Sequence, residues 1–170
     1  MAQIPQSPPK LDVDGEETLS RTLVNLLNTC PAMNGRKVFF STLEETSGLG
    51  FFPLSGAAVS KEEKDITGMC YQTCQYPFLL VFRAAPKSDG ARLRIKEFLD
   101  LIGKWLEQQA ITVDDTRHQL EKYPDLDGNR KIKSIARLTP AYLDKAYDDG
   151  IEDWSISITA IYKNTFQIMR

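Results

Sequence analysis

The sequence has few of the residues on which catalytic and metal sites usually depend. Among its 170 residues there is one histidine, His118, and there are three cysteines. A single histidine excludes a metal site with two histidine ligands and argues against a nucleophile activated by histidine. Because its neighbours Thr116, Arg117 and Gln119 are polar, we interpret His118 as a surface or structural residue. The low histidine content therefore argues against the commonest kinds of catalytic site.

The cysteines do not form a recognisable framework. Their number is odd, which agrees with a reducing compartment. Cys70 and Cys74 are four residues apart, and in a strand that spacing separates them by about 13 Å, beyond the reach of a disulfide. We therefore expect both cysteines to be structural.

Three further motifs fall short of the chemistry that they resemble. Residues 125–129 (DLDGN) begin like a calcium loop, but Ala136 stands where a bidentate glutamate is required. Residues 48–50 (GLG) lack the third glycine of a dinucleotide cradle. The carboxylate pairs at 44–45 and 148–149 lie in polar segments, where nothing separates their pKa values for acid and base roles. We predict a protein that is not an enzyme and that holds no cofactor or metal.

An excess of charge of one sign is also lacking. The chain carries 21 lysines and arginines against 23 aspartates and glutamates, so its net charge is −2. Proteins that bind nucleic acids without sequence preference usually carry an excess of positive charge, and this chain has none. Residues 1–10 contain no apolar run and no basic leader, so we expect neither a signal peptide nor a membrane span. We expect the protein to be made and kept in a cytoplasm.

What the sequence does contain is one strong strand and one strong helix. Residues 76–82 form an uncharged run rich in aromatic and β-branched residues, which predicts a strand over residues 75–85 that is covered on both faces. After a turn at 86–90, a helix is predicted over residues 91–109, and we expect its apolar stripe to lie on the sheet. The side chains of that stripe recur at three- and four-residue spacing: Ile95, Phe98, Leu99, Ile102, Trp105 and Leu106.

Shorter patterns predict the other elements. The last strand alternates apolar residues from Trp154 to Tyr162 with mainly polar ones, which is typical of a strand exposed on one face. Asp14 and Glu17 resemble a capping box at the start of a first helix over residues 16–28. The remaining predictions are strands at 37–40, 50–54 and 130–137, a helical turn at 44–48, a solvated loop or hairpin tip at 61–65, a small hairpin within 111–120, and loops at 123–129 and 138–153.

Together these elements predict an arm and one domain. Residues 1–10 form a flexible proline-rich arm, and residues 11–170 form a single α+β domain. Its fold is a mostly antiparallel, twisted sheet on which the long amphipathic helix and the N-terminal helix pack. The polar connection at 138–153 is too long for an ordinary hairpin loop, so we interpret it as functional.

Six short stretches carry a resemblance to a known family: residues 51–56 (FFPLSG), 75–78 (QYPF), 103–107 (GKWLE), 128–130 (GNR), 138–144 (LTPAYLD) and 150–154 (GIEDW). Over residues 11–164 they make the sequence similar to the minor capsid and tail-terminator type proteins of tailed phages of Gram-positive hosts. The resemblance implies a tail-terminator-like fold. It also implies a place in the neck of a phage virion or phage-tail-like particle, assembled in the cytoplasm of the bacterial host.

The resemblance further implies a set of partners. Members of the tail-terminator group form a ring, usually of six subunits, which caps the tail tube, stops its polymerisation and meets the head side. The implied partners are other copies of this chain, the tail-tube protein and the head-side connector or stopper protein. DNA would be only passing cargo, and no membrane would be involved.

A ring of this kind needs two different and complementary faces on each subunit. We expect these faces, or those toward other partners, in two charged segments, with two tyrosines as aromatic anchors. The candidates are Lys61, Glu62, Glu63, Lys64, Asp65, Tyr142, Asp144, Lys145, Tyr147, Asp148 and Asp149. The alternatives are another minor capsid or head–tail joining protein, and a non-viral adaptor module that captures a peptide on a sheet edge.

Overall fold

The structure, a computed structural model, describes residues 10–168. The predicted arm at residues 1–10 therefore lies outside the described residues, except for Lys10. The elements in chain order are α1 (Val13–Leu27), a turn of 3-10 helix (Pro31–Met33), β1 (Val38–Phe40), β2 (Gly48–Pro53), β3 (Ala58–Lys64), β4 (Met69–Ala84), α2 (Asp89–Leu106), β5 (Ile111–Val113), β6 (Thr116–His118), β7 (Arg130–Arg137), β8 (Tyr142–Ala146) and β9 (Glu152–Gln167).

Two strands of 16 residues each, β4 and β9, form the centre of a seven-stranded sheet. They are antiparallel and pair over their whole length, from Met69 opposite Gln167 to Ala84 opposite Glu152. Strands β3 and β2 both pair with the outer edge of β4, one after the other along its length. Strand β1 pairs with the far side of β2 and extends the sheet there. On the outer side of β9, β7 and β8 lie one after the other. Only the β1–β2 pair in this sheet is parallel, which confirms the predicted α+β fold with a mostly antiparallel sheet.

Both helices pack on one face of this sheet. The even-numbered residues of β4 and β9 point toward the helices, and Tyr76, Phe78, Ile158 and Tyr162 are fully buried there. This confirms the predicted alternation in β9. The prediction that β4 is covered on both faces is wrong, because its odd-numbered positions other than Val81, such as Gln75, are exposed or half-buried. An antiparallel sheet needs helices on one face only.

The helices begin at side chains that cap their first turns. The carboxylate of Asp12 accepts a hydrogen bond from the Gly15 amide (3.2 Å) and starts α1 at Val13. The predicted capping box at Asp14 is therefore wrong, since the capping residue lies two positions earlier. The hydroxyl of Ser88 caps α2 through the Ala91 amide (3.1 Å). Helix α2 ends three residues before its predicted end, and Gln108 takes a left-handed conformation (φ 62°).

Two segments predicted as loops contain strands instead. Residues 58–64 form β3, so the predicted loop at 61–65 is a strand up to Lys64, and only the turn that begins at Asp65 is a hairpin tip. The predicted loop at 138–153 contains β8 and the first two residues of β9. These charged residues adopt strand conformation because they pair with the long strands β4 and β9. This pairing overrides their weak intrinsic preference for strands. The helical turn predicted at 44–48 is also absent, and the chain bends there before β2.

Candidate subunit interfaces at the sheet edges

The two predicted interface segments lie on opposite edges of the sheet. Strand β3 pairs with the first half of β4, and β8 pairs with the start of β9. Two strands, β4 and β9, therefore separate them. They also lie at opposite ends of the strands, since β8 is level with residues 81–84 of β4 whereas β3 is level with residues 70–75. The fold thus presents the two segments in different directions.

The four charged candidate residues of β3, Lys61 to Lys64, are all exposed, but they differ in their contacts. Lys61 pairs with Glu63 (3.0 Å). Glu62 is engaged with other parts of the chain, since it accepts hydrogen bonds from Cys70 Sγ (3.0 Å) and from Lys10 Nζ (3.2 Å). These bonds, that from Cys70 above all, lower the pKa of Glu62 to about 2. The Glu62 carboxylate therefore holds Lys10, the first described residue, against the sheet.

The tip of the β3–β4 hairpin is built around Asp65. Its Oδ1 accepts hydrogen bonds from the Thr67 hydroxyl (2.6 Å), the Thr67 amide (2.9 Å) and the Met69 amide (3.1 Å). The bond from the Thr67 hydroxyl contributes most to a pKa of Asp65 below its ordinary value. Next to it Ile66 is 99% exposed. The tip is a well-braced turn that projects an apolar side chain into solvent.

On the opposite edge, all five residues of β8 are exposed. Tyr142 is 37% exposed and Leu143 is 45% exposed, so this strand presents two adjacent apolar side chains. Asp144 accepts a hydrogen bond from the Ser155 hydroxyl (3.2 Å). The predicted anchor Tyr142 is therefore available for contact.

The second predicted anchor, Tyr147, is half-buried in a cluster of charged groups. Its hydroxyl donates to Asp153 Oδ2 (2.9 Å) and accepts from the guanidinium of Arg83 (3.2 Å). Arg83 also holds both carboxylate oxygens of Asp153, at 2.7 and 2.9 Å, and donates to the carbonyl of Glu44 (3.1 Å). The phenol thus braces the turn that carries Asp148 and Asp149. Its contact with a partner stays a prediction.

The exposed aromatic residues of β1 are not among the predicted interface residues. Phe39 is 47% exposed and Phe40 is 51% exposed, on a three-residue strand at the sheet edge. A groove of about 510 Å³ lies between Phe40 and the outer side of α1, where Val13, Ser20 and Val24 line it. The signal in the sequence was the run Val38–Phe40, which was interpreted only as a strand.

The buried polar groups elsewhere are satisfied within the fold. Asp12 accepts hydrogen bonds from Arg130 (2.7 and 2.9 Å) and from the Tyr162 hydroxyl (2.7 Å). Burial raises the pKa of Asp12, but these bonds outweigh it, so the pKa lies below its ordinary value. All three cysteines are free and buried, and burial raises the pKa of the Cys30 thiol to about 11. Their thiols therefore stay protonated and inaccessible at neutral pH.

Over residues 10–168, no group of histidine, cysteine, aspartate and glutamate side chains is arranged to hold a metal ion. None of the helices in that range is long and apolar enough to cross a membrane.

Comparison with known proteins identifies the fold but no family. No protein-family model and no curated protein matches the chain. Among solved structures, the chain is similar to one from a structure described as the virion of a native gene transfer agent particle. The TM-score is 0.51, the identity is 12%, and the match covers 91% of this chain and all of the other. The two chains share a fold over nearly their whole lengths.

Proposed function

We propose that this chain is a structural protein of a phage or phage-like virion that forms a ring at the neck. The ring caps the tail tube, stops its polymerisation and joins it to the head-side connector. The observation that carries the proposal is the fold shared, over 91% of this chain, with a chain of a gene transfer agent virion. Because fold alone does not establish function, the arrangement of the exposed surfaces supplies the rest of the argument.

The exposed edges support a closed ring. A head-to-tail ring requires two different faces on each subunit, placed so that the second face of one copy meets the first face of the next. Here β1 and β3 lie on one edge of the sheet, while β7 and β8 lie on the other. Each edge therefore faces a different neighbour when copies are arranged side by side.

The strand ends support contacts along the axis of such a ring. The hairpin tip that begins at Asp65 lies at one end of the central strands, and the turn at 147–150 lies at the other. With the edges used between subunits, these two ends are left for the tail-tube protein and the connector protein. The fully exposed Ile66 fits an apolar contact of this kind.

The charge balance suits a ring through which DNA passes. Binding to DNA grows with the number of phosphates that lysine and arginine neutralise. With a net charge of −2, the subunit offers no general excess of positive charge to hold the DNA. DNA is accordingly cargo in this proposal and not a ligand.

A second candidate function follows from the same free edges. An exposed strand such as β8 can accept an extended peptide as an additional strand, which is how some adaptor modules bind their partners. A monomer with one defined peptide ligand would be expected in that case. Another head–tail joining position in the virion is the nearer alternative, since it requires the same subunit contacts.

Immunogold electron microscopy of purified particles tests the proposal. We expect label only at the junction between head and tail, on every intact particle. Label spread along the tail or over the head shell would contradict a neck position. Particles that carry no label under conditions where the isolated protein is labelled would contradict a virion role.

A further inference from the structure

The edge strands of residues 10–168 differ in how they are protected against pairing. Strand β3 carries Lys61 and Lys64 and a bulge between Val59 and Lys61. Strand β7 likewise carries two lysines and a bulge. Charges and bulges of this kind prevent an edge from accepting another strand. Strand β8 also carries charges, Asp144 and Lys145, and a bulge between Leu143 and Lys145, so only Tyr142 and Leu143, ahead of the bulge, lack this protection. In contrast, β1 has only Val38, Phe39 and Phe40 and has no bulge, so its edge carries neither form of protection.

The backbone of β1 offers hydrogen bonds on its outer side. The Ser41 amide donates to the Phe51 carbonyl of β2 (2.8 Å). Since alternate residues of a strand bond to opposite sides, Phe40 and Val38 direct their backbone groups away from β2. The Val38 amide is bonded to the side chain of Asn28 (2.8 Å). The groups of Phe40 are thus directed to where a further strand would lie.

Strand β8 matches β1 on both faces of the sheet. Phe40 stacks on Phe51 on the helix side (6.1 Å between ring centroids), and Leu143, opposite Trp154, lies on that same side. Phe39 and Tyr142 lie on the other side, because neighbouring residues alternate between faces. In an antiparallel pair with Leu143 opposite Phe40, Tyr142 lies opposite Ser41 and diagonal to Phe39, so apolar side chains come together on both faces. The groove beside Phe40 would receive Leu143.

The charges that flank the two strands select an antiparallel arrangement. Arg36 and Lys37 directly precede β1, and Asp148 and Asp149 follow β8. All four are exposed, and none forms an ion pair with another described residue. The guanidinium of Arg36 lies over the rings of Phe82 and Phe98, so Lys37 is the cation available to a neighbouring copy. In an antiparallel pair, the start of β1 lies beside the end of β8, so opposite charges meet. A parallel pair would place the glutamates at 44–45 beside the acidic turn.

The directions of the strands within one copy agree with this arrangement. Strand β1 is parallel to β2, β2 and β9 are each antiparallel to β4, and β8 is antiparallel to β9. Strands β1 and β8 of one copy therefore run in opposite directions. Rotation about an axis along the strands preserves these directions. It brings β8 of one copy beside β1 of the next as an antiparallel pair.

We infer that β8 of one copy pairs with β1 of the next, so that the sheets of neighbouring copies join into one continuous closed sheet. The inference rests on the proposed ring and names its subunit contact. In this arrangement the charged edge of β3 takes no part in the contact between copies. We assign β3 instead to a contact with another virion protein.

Cysteine cross-linking within particles tests the inference. We would introduce Phe39→Cys and Tyr142→Cys together and treat purified particles with a short bifunctional thiol reagent. Native Cys30, Cys70 and Cys74 are at most 4% exposed, so they contribute little background. On a denaturing gel we expect a ladder of covalent oligomers of this chain. The matched control, Ser60→Cys with Tyr142→Cys, places one thiol on the β3 edge instead and should give only monomer.

The results separate the inference from the proposed function. Particles that contain the chain but give no ladder with the 39–142 pair would overturn the inference and leave the neck position standing. A ladder from the 60–142 control alone would also overturn the inference, and it would indicate that copies meet at the β3 edge. Particles that lack the wild-type chain altogether would contradict the proposed function, and the inference with it.

Discussion

Asp153 holds the turn between β8 and β9, and its replacement by alanine is expected to destabilise the fold strongly. The carboxylate accepts two hydrogen bonds from Arg83 and one from Tyr147. The side chain of Asp153 is 9% exposed and that of Arg83 is 19% exposed, so the charges are largely removed from water. Removing one member of such a pair leaves the other charge without its partner.

The size of the effect follows from these contacts. Removing one partner of a buried ion pair lowers the free energy of unfolding by about 3–5 kcal/mol. Because the Arg83 side chain keeps some contact with water, we expect the lower end of that range, about 3 kcal/mol. The lost hydrogen bond from Tyr147 adds about 1 kcal/mol. For a domain of this size, each kcal/mol lowers Tm by about 2–4 °C. We therefore expect Asp153→Ala to lose about 4 kcal/mol and roughly 10 °C in Tm, measured by urea and thermal unfolding.

The same pair makes part of the stability depend on pH. The hydrogen bonds from Arg83, and then that from Tyr147, hold the pKa of Asp153 below its ordinary value of 3.8. The contribution of Asp153 is therefore fully present above about pH 4 and is lost as the pH falls through the lowered pKa. The difference in unfolding free energy between wild type and Asp153→Ala should be constant near neutral pH and should narrow below pH 4.

Asp148→Ala is the matched control for this prediction. Asp148 lies in the same turn but is exposed, so its loss should change the unfolding free energy by less than about 0.5 kcal/mol. Equal stability of Asp153→Ala and Asp148→Ala would refute the reasoning, as would a difference from wild type that does not change with pH.

Three further predictions concern the start of α1, the two tyrosines and the charged flanks. Asp12→Ala should cost about 3 kcal/mol in urea unfolding, because it removes the helix cap and the partner of Arg130; a loss below 1 kcal/mol would contradict this. Tyr142→Ser should weaken assembly of the isolated chain in sedimentation without changing Tm, whereas Tyr147→Ser should lower Tm by several degrees, and the reverse pattern would exclude their assigned roles. Lys37→Glu and Asp148→Lys should each weaken assembly at low salt, and the double variant should regain it; no recovery would count against the antiparallel contact.

The sequence predicts elements well where the residues themselves carry a strong pattern. The apolar stripe of α2 and the alternation in β9 are regular over many residues, and both were predicted correctly. The bounds of β7, Arg130–Arg137, are those predicted. In these elements the local pattern and the tertiary packing favour the same structure.

The predictions failed where the structure depends on distant residues. Strands β3 and β8 are rich in charged residues, and they are ordered by pairing with β4 and β9. The cap of α1 depends on Asp12, whose carboxylate is held by Arg130, 118 positions later in the chain. The role of Tyr147 depends likewise on Arg83, 64 positions earlier. No local pattern contains such pairs.

For the candidate site, the sequence predicted the segments more accurately than the individual side chains. Both segments lie on exposed edges of the sheet, but Glu62, Asp65 and Tyr147 use their polar groups within the chain. Phe39 and Phe40 were missed because an apolar pair in a short strand is normally buried, and only the strand order places these residues at an edge.

The measurement that tests the central claim most directly is electron microscopy of particles produced after deletion of the gene for this chain. A protein that caps the tail tube and joins it to the head should leave overlong tail tubes and separate heads when it is missing. Tails of normal length beside filled heads would move the protein to a joining role without tail termination. Intact particles of normal shape would contradict a neck function altogether.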